Sequence, residues 1–189
     1  MSVTQPGFGD AVLDAQECFR AVLAAMAEPG TVHRVAEVVP PPPLDAATAA
    51  VLLTLVDGET GLHVDHAAMP AGDWVRFHTG APAAVRAEAA FALMVGPLAL
   101  DELLLGEDEV PEASATAIVQ VASLEAGEAY RLHGPGILNS RVVRVTGLPA
   151  QFVAGWAANH ALFPRGIDLI LCAGDRVMAL PRSAGVEAG

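Results

Sequence analysis

His63-Val64-Asp65-His66 is the most metal-like cluster in the 189-residue sequence. Imidazoles beside a carboxylate are the ligand types of a hydrolytic divalent centre. In a strand, however, His63 and Asp65 share one face while His66 points to the other. A centre there needs a further ligand, such as His78 or Glu59, with carboxylate support behind the imidazoles. An independent metal-dependent hydrolase is therefore carried as an alternative. Ordinary polar loop histidines are the preferred reading.

Gly134-Pro135-Gly136 brings backbone into a position to approach a phosphate. A phosphate cradle works through converging N–H groups at a helix N-terminus, and Pro135 has no N–H to contribute. The segment after it reads as strand, so a tight strand-to-strand bend is the better account. Nucleophilic catalysis finds less support. There is no Gly-x-Ser-x-Gly elbow, and neither Cys18 nor Cys172 sits where the local sequence lowers a thiol pKa. The carboxylates Glu107, Asp108 and Glu109 fall together in a turn, where solvation is the cheap outcome.

All ten basic Lys/Arg positions are arginine. The absence of lysine excludes a Walker A phosphate loop, a kinase strand lysine and a pyridoxal-phosphate Schiff base. The 22 acidic side chains leave a net charge of −12, which argues against binding nucleic acid or an anionic membrane surface. Hydrophobic residues make up 53% and mean hydropathy is +0.44, which excludes disorder. So apolar a chain is expected to bury surface against a companion. Two cysteines outside any C-x-x-C pair, no signal peptide and no apolar span of membrane length give a reduced, cytoplasmic expectation. No cofactor is expected.

The elements that would position these residues follow from periodicity. Phe8, Val12, Ala15, Phe19, Val22 and Met26 recur at helical spacing, as core or as an interface seam, and Glu28-Pro29-Gly30 ends that helix. Thr31 to Val39 reads as extended, and the four prolines from Pro40 to Pro43 as a tether between packed elements. Asp45 opens a second helix running through Val56. Leu62 to Asp65, Trp74 to His78 and Phe91 to Val95 are expected strands. Pro82 to Ala90 and Leu98 to Leu105 are expected helices. Thr116 to Ser123, Ala129 to His133 and Arg141 to Thr146 are later strands, with Ala126-Gly127 as a turn. A helix from Ala150 to Ala161 places Phe152, Trp156 and His160 on one face. Ile167 to Cys172 reads as a strand buried on both faces, followed by a Gly174-Asp175 hairpin and a return through Leu180. The pattern implies an α/β fold with a mixed sheet, one domain over residues 1–189.

Four stretches taken in order carry a resemblance. They are Phe19-Arg20 with Ala25-Met26-Ala27-Glu28-Pro29-Gly30; Pro111-Glu112 with Ser114-Ala115-Thr116; His133-Gly134-Pro135-Gly136-Ile137; and Asn159 with Phe163-Pro164-Arg165-Gly166-Ile167-Asp168, closing on Leu180-Pro181-Arg182. In sequence and spacing the chain resembles the PhnH family, the H subunits of the bacterial carbon–phosphorus lyase system. Ser183-Ala184 stands where that family usually has two threonines, which leaves the tail the least secure part of the match.

The resemblance implies a reduced pyridoxal-phosphate-dependent transferase fold without the cofactor. It implies a non-catalytic or accessory role in a cytoplasmic core complex with G, I and J subunits, and a homodimer in isolation. With an ATP-binding-cassette protein, the G, H and I subunits of such systems exchange the adenine of ATP for a phosphonate, giving alpha-D-ribose 1-methylphosphonate 5-triphosphate. Gly134, Pro135, Gly136, Asn159, Phe163, Pro164, Gly166 and Asp168 form the expected interface or ligand cluster, with turn formation and backbone satisfaction as the simpler roles. A further alternative makes the chain a phosphonate- or nucleotide-binding subunit, with Arg165 or Arg141 pairing the anion.

Overall fold

The computed structural model describes residues 5–35 and 37–189. Numbered in chain order, the strands are β1 (His33–Arg34), β2 (Leu62–Val64), β3 (Phe91–Met94), β4 (Thr116–Gln120), β5 (Ser123–His133), β6 (Arg141–Thr146), β7 (Asp168–Ala173), β8 (Arg176–Leu180) and β9 (Gly185–Ala188). The helices are α1 (Ala11–Ala27), α2 (Ala46–Leu55), α3 (Gly72–Thr79) and α4 (Phe152–His160). A six-stranded mixed sheet has the order β1-β8-β7-β4-β3-β2, with β2, β3, β4 and β7 parallel and β8 antiparallel to β7. A second sheet, β6-β5-β9, is antiparallel throughout.

Strand alternation divides the core in two. Leu93, Ile118, Ile170, Cys172 and Val177 pack on α1, α2 and α3. Ala92, Met94, Val119, Leu169, Leu171 and Met178 face the second sheet and α4. The main sheet is thus covered on both faces, as the nearly unbroken apolar run Ile167–Cys172 predicts. Helices lie on one side, and the small sheet with α4 on the other.

Several expectations are corrected. Trp74 to His78 is helical, not a strand. Pro70 sits in the 3-10 turn leading into α3, and Gly80 closes it at φ +71°, the usual proline-before, glycine-after signature. Pro82 to Ala90 is not a helix, because its backbone serves β2. Leu62 donates to Pro82 O at 2.9 Å and accepts from Ala84 N at 3.0 Å, leaving one 3-10 turn at Arg86–Glu88. Leu98 to Leu105 stays irregular because its carbonyls are claimed from outside. Ala115 N donates to Leu104 O at 2.7 Å and Gly166 N to Leu105 O at 2.9 Å. Ala126-Gly127 is no turn but an irregularity within β5, with Gly127 at φ +101° and the register shifting between Ser123 and Glu128. Only His33–Arg34 of the extended Thr31–Val39 stretch pairs as a strand, and Ala36 lies outside the described residues. β9, in the tail, was not foreseen.

The α1 stripe is also revised. Asp10 caps the helix, accepting from Val12 N and Leu13 N at 3.0 Å each. Its buried line is Cys18, Val22 and Ala25, while Val12 and Phe19 face outward.

Cys18 and Cys172 are wholly buried in the helix-side core and unpaired. Burial pushes the Cys18 thiol up to about 11 and the Cys172 thiol further still. Neither is therefore a thiolate at neutral pH. Both should stay silent toward a thiol-exchange reagent at pH 8 until denaturant is added. An unfolded thiol ionises at its ordinary, lower pKa, so the unfolded chain holds fewer protons in alkali. The stability these thiols contribute is complete below the ordinary thiol pKa and declines as pH rises toward the raised values, which urea titrations at pH 8 and pH 10 would display.

Candidate functional site

The segment from Ala179 to Glu187 draws the four sequence stretches together. Arg182 is its hub, and the pair it forms with Asp168 is largely shielded, with side chains 13% and 18% exposed. The guanidinium forks onto the Asp168 carboxylate, with Nη2 to Oδ2 at 2.6 Å and Nε to Oδ1 at 3.1 Å. Its remaining donor, Nη1, reaches Pro111 O at 2.8 Å and Pro164 O at 3.5 Å. The Arg182 backbone N–H also donates to Asp168 Oδ1 at 2.7 Å. One planar cation thus ties the start of β7 to the ends of two loops, a task for which five donors in a fixed fork are suited.

Asn159, buried at the end of α4, clamps the backbone of Ile167 in both directions. Its Nδ2 donates to Ile167 O at 2.9 Å, and Ile167 N donates to its Oδ1 at 2.8 Å. Gly166, at φ +115°, leaves room for this: a Cβ there would stand 2.9 Å from Asn159 Oδ1. Trp156 Nε1 donates to Ala184 O at 2.8 Å, and His160 Nδ1 donates to Arg182 O at 2.8 Å. One face of α4 is therefore sewn to the turn between β8 and β9. Asn159→Ala leaves a buried N–H and a buried carbonyl unpaired at Ile167. It should cost about 2 kcal/mol in urea denaturation, and Asn159→Asp should cost no less, because it buries a carboxylate with one oxygen against the Ile167 carbonyl.

The Gly134-Pro135-Gly136 bend lies across the same segment. A Cβ on Gly134 would meet Ser183 O at 3.0 Å, and one on Gly136 would collide with Ala27 O at the end of α1. Arg141 donates through Nη1 to Pro29 O at 2.6 Å and Glu28 O at 3.2 Å, so the guanidinium acts as a C-terminal cap of α1. Arg165 Nε stands 2.9 Å from Asp108 Oδ1 without the angle of a hydrogen bond. Phe163 and Pro164 form an exposed corner. Thus Pro164 and Asp168 meet at Arg182, Asn159 and Gly166 meet beside Ile167, Gly134 lies against Ser183-Ala184, Gly136 lies against the end of α1, and Phe163 faces out.

The metal-like residues are not brought together. Asp65 is consumed by backbone, with Oδ1 accepting from Ala68 N at 2.8 Å and Oδ2 from Val95 N at 3.0 Å and Gly96 N at 2.7 Å. His63 turns to Ala84 O and His78 to Gln5 O. Among the described residues no group of three His, Cys, Asp or Glu side chains is placed to hold a metal ion.

Open α/β sheets bind ligands beyond the carboxyl ends of their parallel strands. Here that edge is occupied by the chain itself. Gln120, ending β4, accepts at Oε1 from Asp45 N at 2.7 Å and Thr48 Oγ1 at 2.9 Å, and its Nε2 donates to Pro43 O at 2.9 Å. The carboxamide sits where an anion would sit at the N-terminus of α2. Asp45, expected to cap α2 through its side chain, instead accepts from Gly174 N at 2.9 Å. Asp65 fills the same office between β2 and β3. Sequence reading missed Gln120. Its one signal is a polar residue interrupting the otherwise apolar run from Ala117 to Val121.

Residues 6–187 match the family described as bacterial phosphonate metabolism protein (PhnH). The chain is 41% identical over 187 residues, 95% of its length, to the alpha-D-ribose 1-methylphosphonate 5-triphosphate synthase subunit PhnH of Rhizobium meliloti (strain 1021), of which the match covers 94%. It is 33% identical over 173 residues to HtxG of Stutzerimonas stutzeri, a protein described as a candidate C-P lyase subunit, covering 91% of this chain and 85% of that one.

Proposed function

This chain belongs to the PhnH family of bacterial phosphonate metabolism proteins, and from that premise we propose that it is an accessory, non-catalytic subunit of a carbon–phosphorus lyase complex. It works with G, I and J subunits, and the assembly needs it to make alpha-D-ribose 1-methylphosphonate 5-triphosphate from ATP and methylphosphonate. The chain acts as one domain over residues 1–189, as a cytoplasmic protein and, without its partners, as a homodimer. Its fold is a reduced pyridoxal-phosphate transferase, a reading supported by the absence of a lysine for the Schiff base.

The observation that carries the accessory role is the filled carboxyl edge. Gln120 and Asp65 take up backbone donors that a phosphate-bearing ligand would use. Arg141 and Arg182 are committed to carbonyls and a carboxylate, and Arg165 is paired with Asp108. Among the described residues no helix is long and apolar enough to cross a membrane, in keeping with a soluble subunit.

Co-expression with G, I and J subunits followed by affinity pull-down of the tagged chain tests the reading. A stoichiometric assembly is the expected result, and recovery of the chain alone would overturn it. Calorimetric titration of the isolated chain with ATP or methylphosphonate should be flat. Saturable heat would instead support the ligand-binding subunit.

A further inference from the structure

β2 is an edge strand of the six-stranded sheet, and its outward side is only partly covered. Gly61 O and Asp65 N bond across to Phe91 N and Leu93 O, so Leu62 and Val64 turn their backbone groups the other way. Leu62 is paired there, through Pro82 O and Ala84 N. The chain then leaves the edge for the 3-10 turn at Arg86–Glu88. Among the described residues, the N–H and C=O of Val64 find no hydrogen-bond partner. One rung of the edge is open.

Val64 lines a pocket of about 190 Å³ beside α3. Met69, Gly72, Asp73 and Arg76, spaced three, one and three, present one face of the helical turns to it. Gly72 keeps that wall open. Its φ of −57° and ψ of −40° are ordinary helical values, and a Cβ there would meet nothing within 4 Å, so neither strain nor crowding calls for glycine. Two opposite charges line the same space. Among the described residues neither Asp73 nor Arg76 has an ion-pair partner, and they do not pair with each other. His63 also lines the pocket. Its Nδ1 turns to Ala84 O at 3.4 Å, which leaves Nε2 as the ring's acceptor.

We propose that this pocket binds a free aliphatic amino acid. The carboxylate lies on the Arg76 fork and the Val64 N–H, a planar acid group being the match for a guanidinium. The ammonium lies on Asp73, the Val64 carbonyl and His63 Nε2, and the side chain rests against Val64, Met69 and Ala83. A volume below the roughly 300–1,000 Å³ of sites for drug-sized ligands holds the occupant to the scale of one residue. An extended peptide is the poorer occupant, because strand addition draws on several successive rungs and here one is open. A simple anion such as methylphosphonate leaves Asp73 and the Val64 carbonyl unanswered. β3 and β4 separate the pocket from β7 and its Arg182 partner, so the site stands independently of the subunit reading.

Calorimetric titration of the isolated full chain with L-alanine, L-valine, L-leucine and L-methionine tests the proposal. Saturable binding of at least one is expected. Its decarboxylated and deaminated analogues, isobutylamine and isovalerate in the case of valine, should bind at least tenfold more weakly. Gly72→Leu fills the pocket, Arg76→Gln removes the carboxylate's partner and Asp73→Asn the ammonium's. Each should weaken binding at least tenfold, with an unchanged thermal midpoint in the absence of ligand to verify folding. If Gly72→Leu folds poorly, the two charge variants carry the test. Flat titrations with all four amino acids would overturn the proposal. Undiminished binding by the variants would overturn the placement, and an amine or acid that binds as well as the amino acid would overturn the zwitterion. Each of these results is read on the chain alone and leaves the subunit reading to its own pull-down.

Discussion

Gly136→Ala should lower stability by roughly 3 kcal/mol or more, the largest effect expected of any single methyl group in the chain. Two penalties coincide there. The backbone lies at φ +79°, which an L side chain adopts only under strain, and the new Cβ would run into the Ala27 carbonyl oxygen. That obstacle is backbone at the last residue of α1, so no side chain can swing aside. The bend must move off the helix, and Arg141 with it, which loosens the cap it makes on Glu28 and Pro29. With an m-value of about 2–3 kcal/mol/M for a chain this size, the urea midpoint should fall by about 1 M or more. A shift of a few tenths of a molar would show that the bend is free to move.

Arg182→Leu should destabilise by about 2–4 kcal/mol, and for a different reason. The substitution leaves Asp168 as a shielded carboxylate without its fork and removes a donor from Pro111 O. Breaking one partner of a shielded pair costs more than the pair contributes when intact. Asp168→Asn in the Arg182→Leu background should therefore cost less than it does alone, giving a coupling of at least about 1 kcal/mol in a double-mutant cycle. Additive effects would mean that the pair is solvated and that the loops at Pro111 and Pro164 are held by something else.

The two variants also separate architecture from interface in the family stretches. Short sequence stretches were legible as a set because glycines, prolines and an arginine recur in a fixed order, but their purpose was not. Gly166 reads as a turn former in sequence, and only the fold reveals Asn159 closing over the space it leaves. Arg182 closes the fourth stretch, yet nothing local discloses that its partners are 14 and 71 residues away.

Elsewhere, legibility followed the strength of local signals. β3, β4, β6, β7 and β8 fall on apolar, β-branched runs bounded by turns, and α1, α2 and α4 on long apolar stretches with clear stops. The misreadings have two causes. Trp74 to His78 is too short to reveal a period, so its aromatic and branched residues imitate a strand. The segments at Pro82 and Leu98 have helix-like composition, but their carbonyls and amides are claimed by β2, Ala115 and Gly166. Tertiary demand on the backbone outweighs propensity at these places. On α1 the hydrophobic spacing was correct, while the side turned inward was displaced to Cys18, Val22 and Ala25. That displacement is what leaves Val12, Phe19 and Leu23 exposed.

Product formation from ATP and methylphosphonate, measured with each subunit omitted in turn, tests the central claim most directly. The account predicts no turnover by this chain alone, turnover by the complete set with the ATP-binding-cassette protein, and its loss when this chain is left out. Turnover by the isolated chain, or undiminished turnover in its absence, would contradict it.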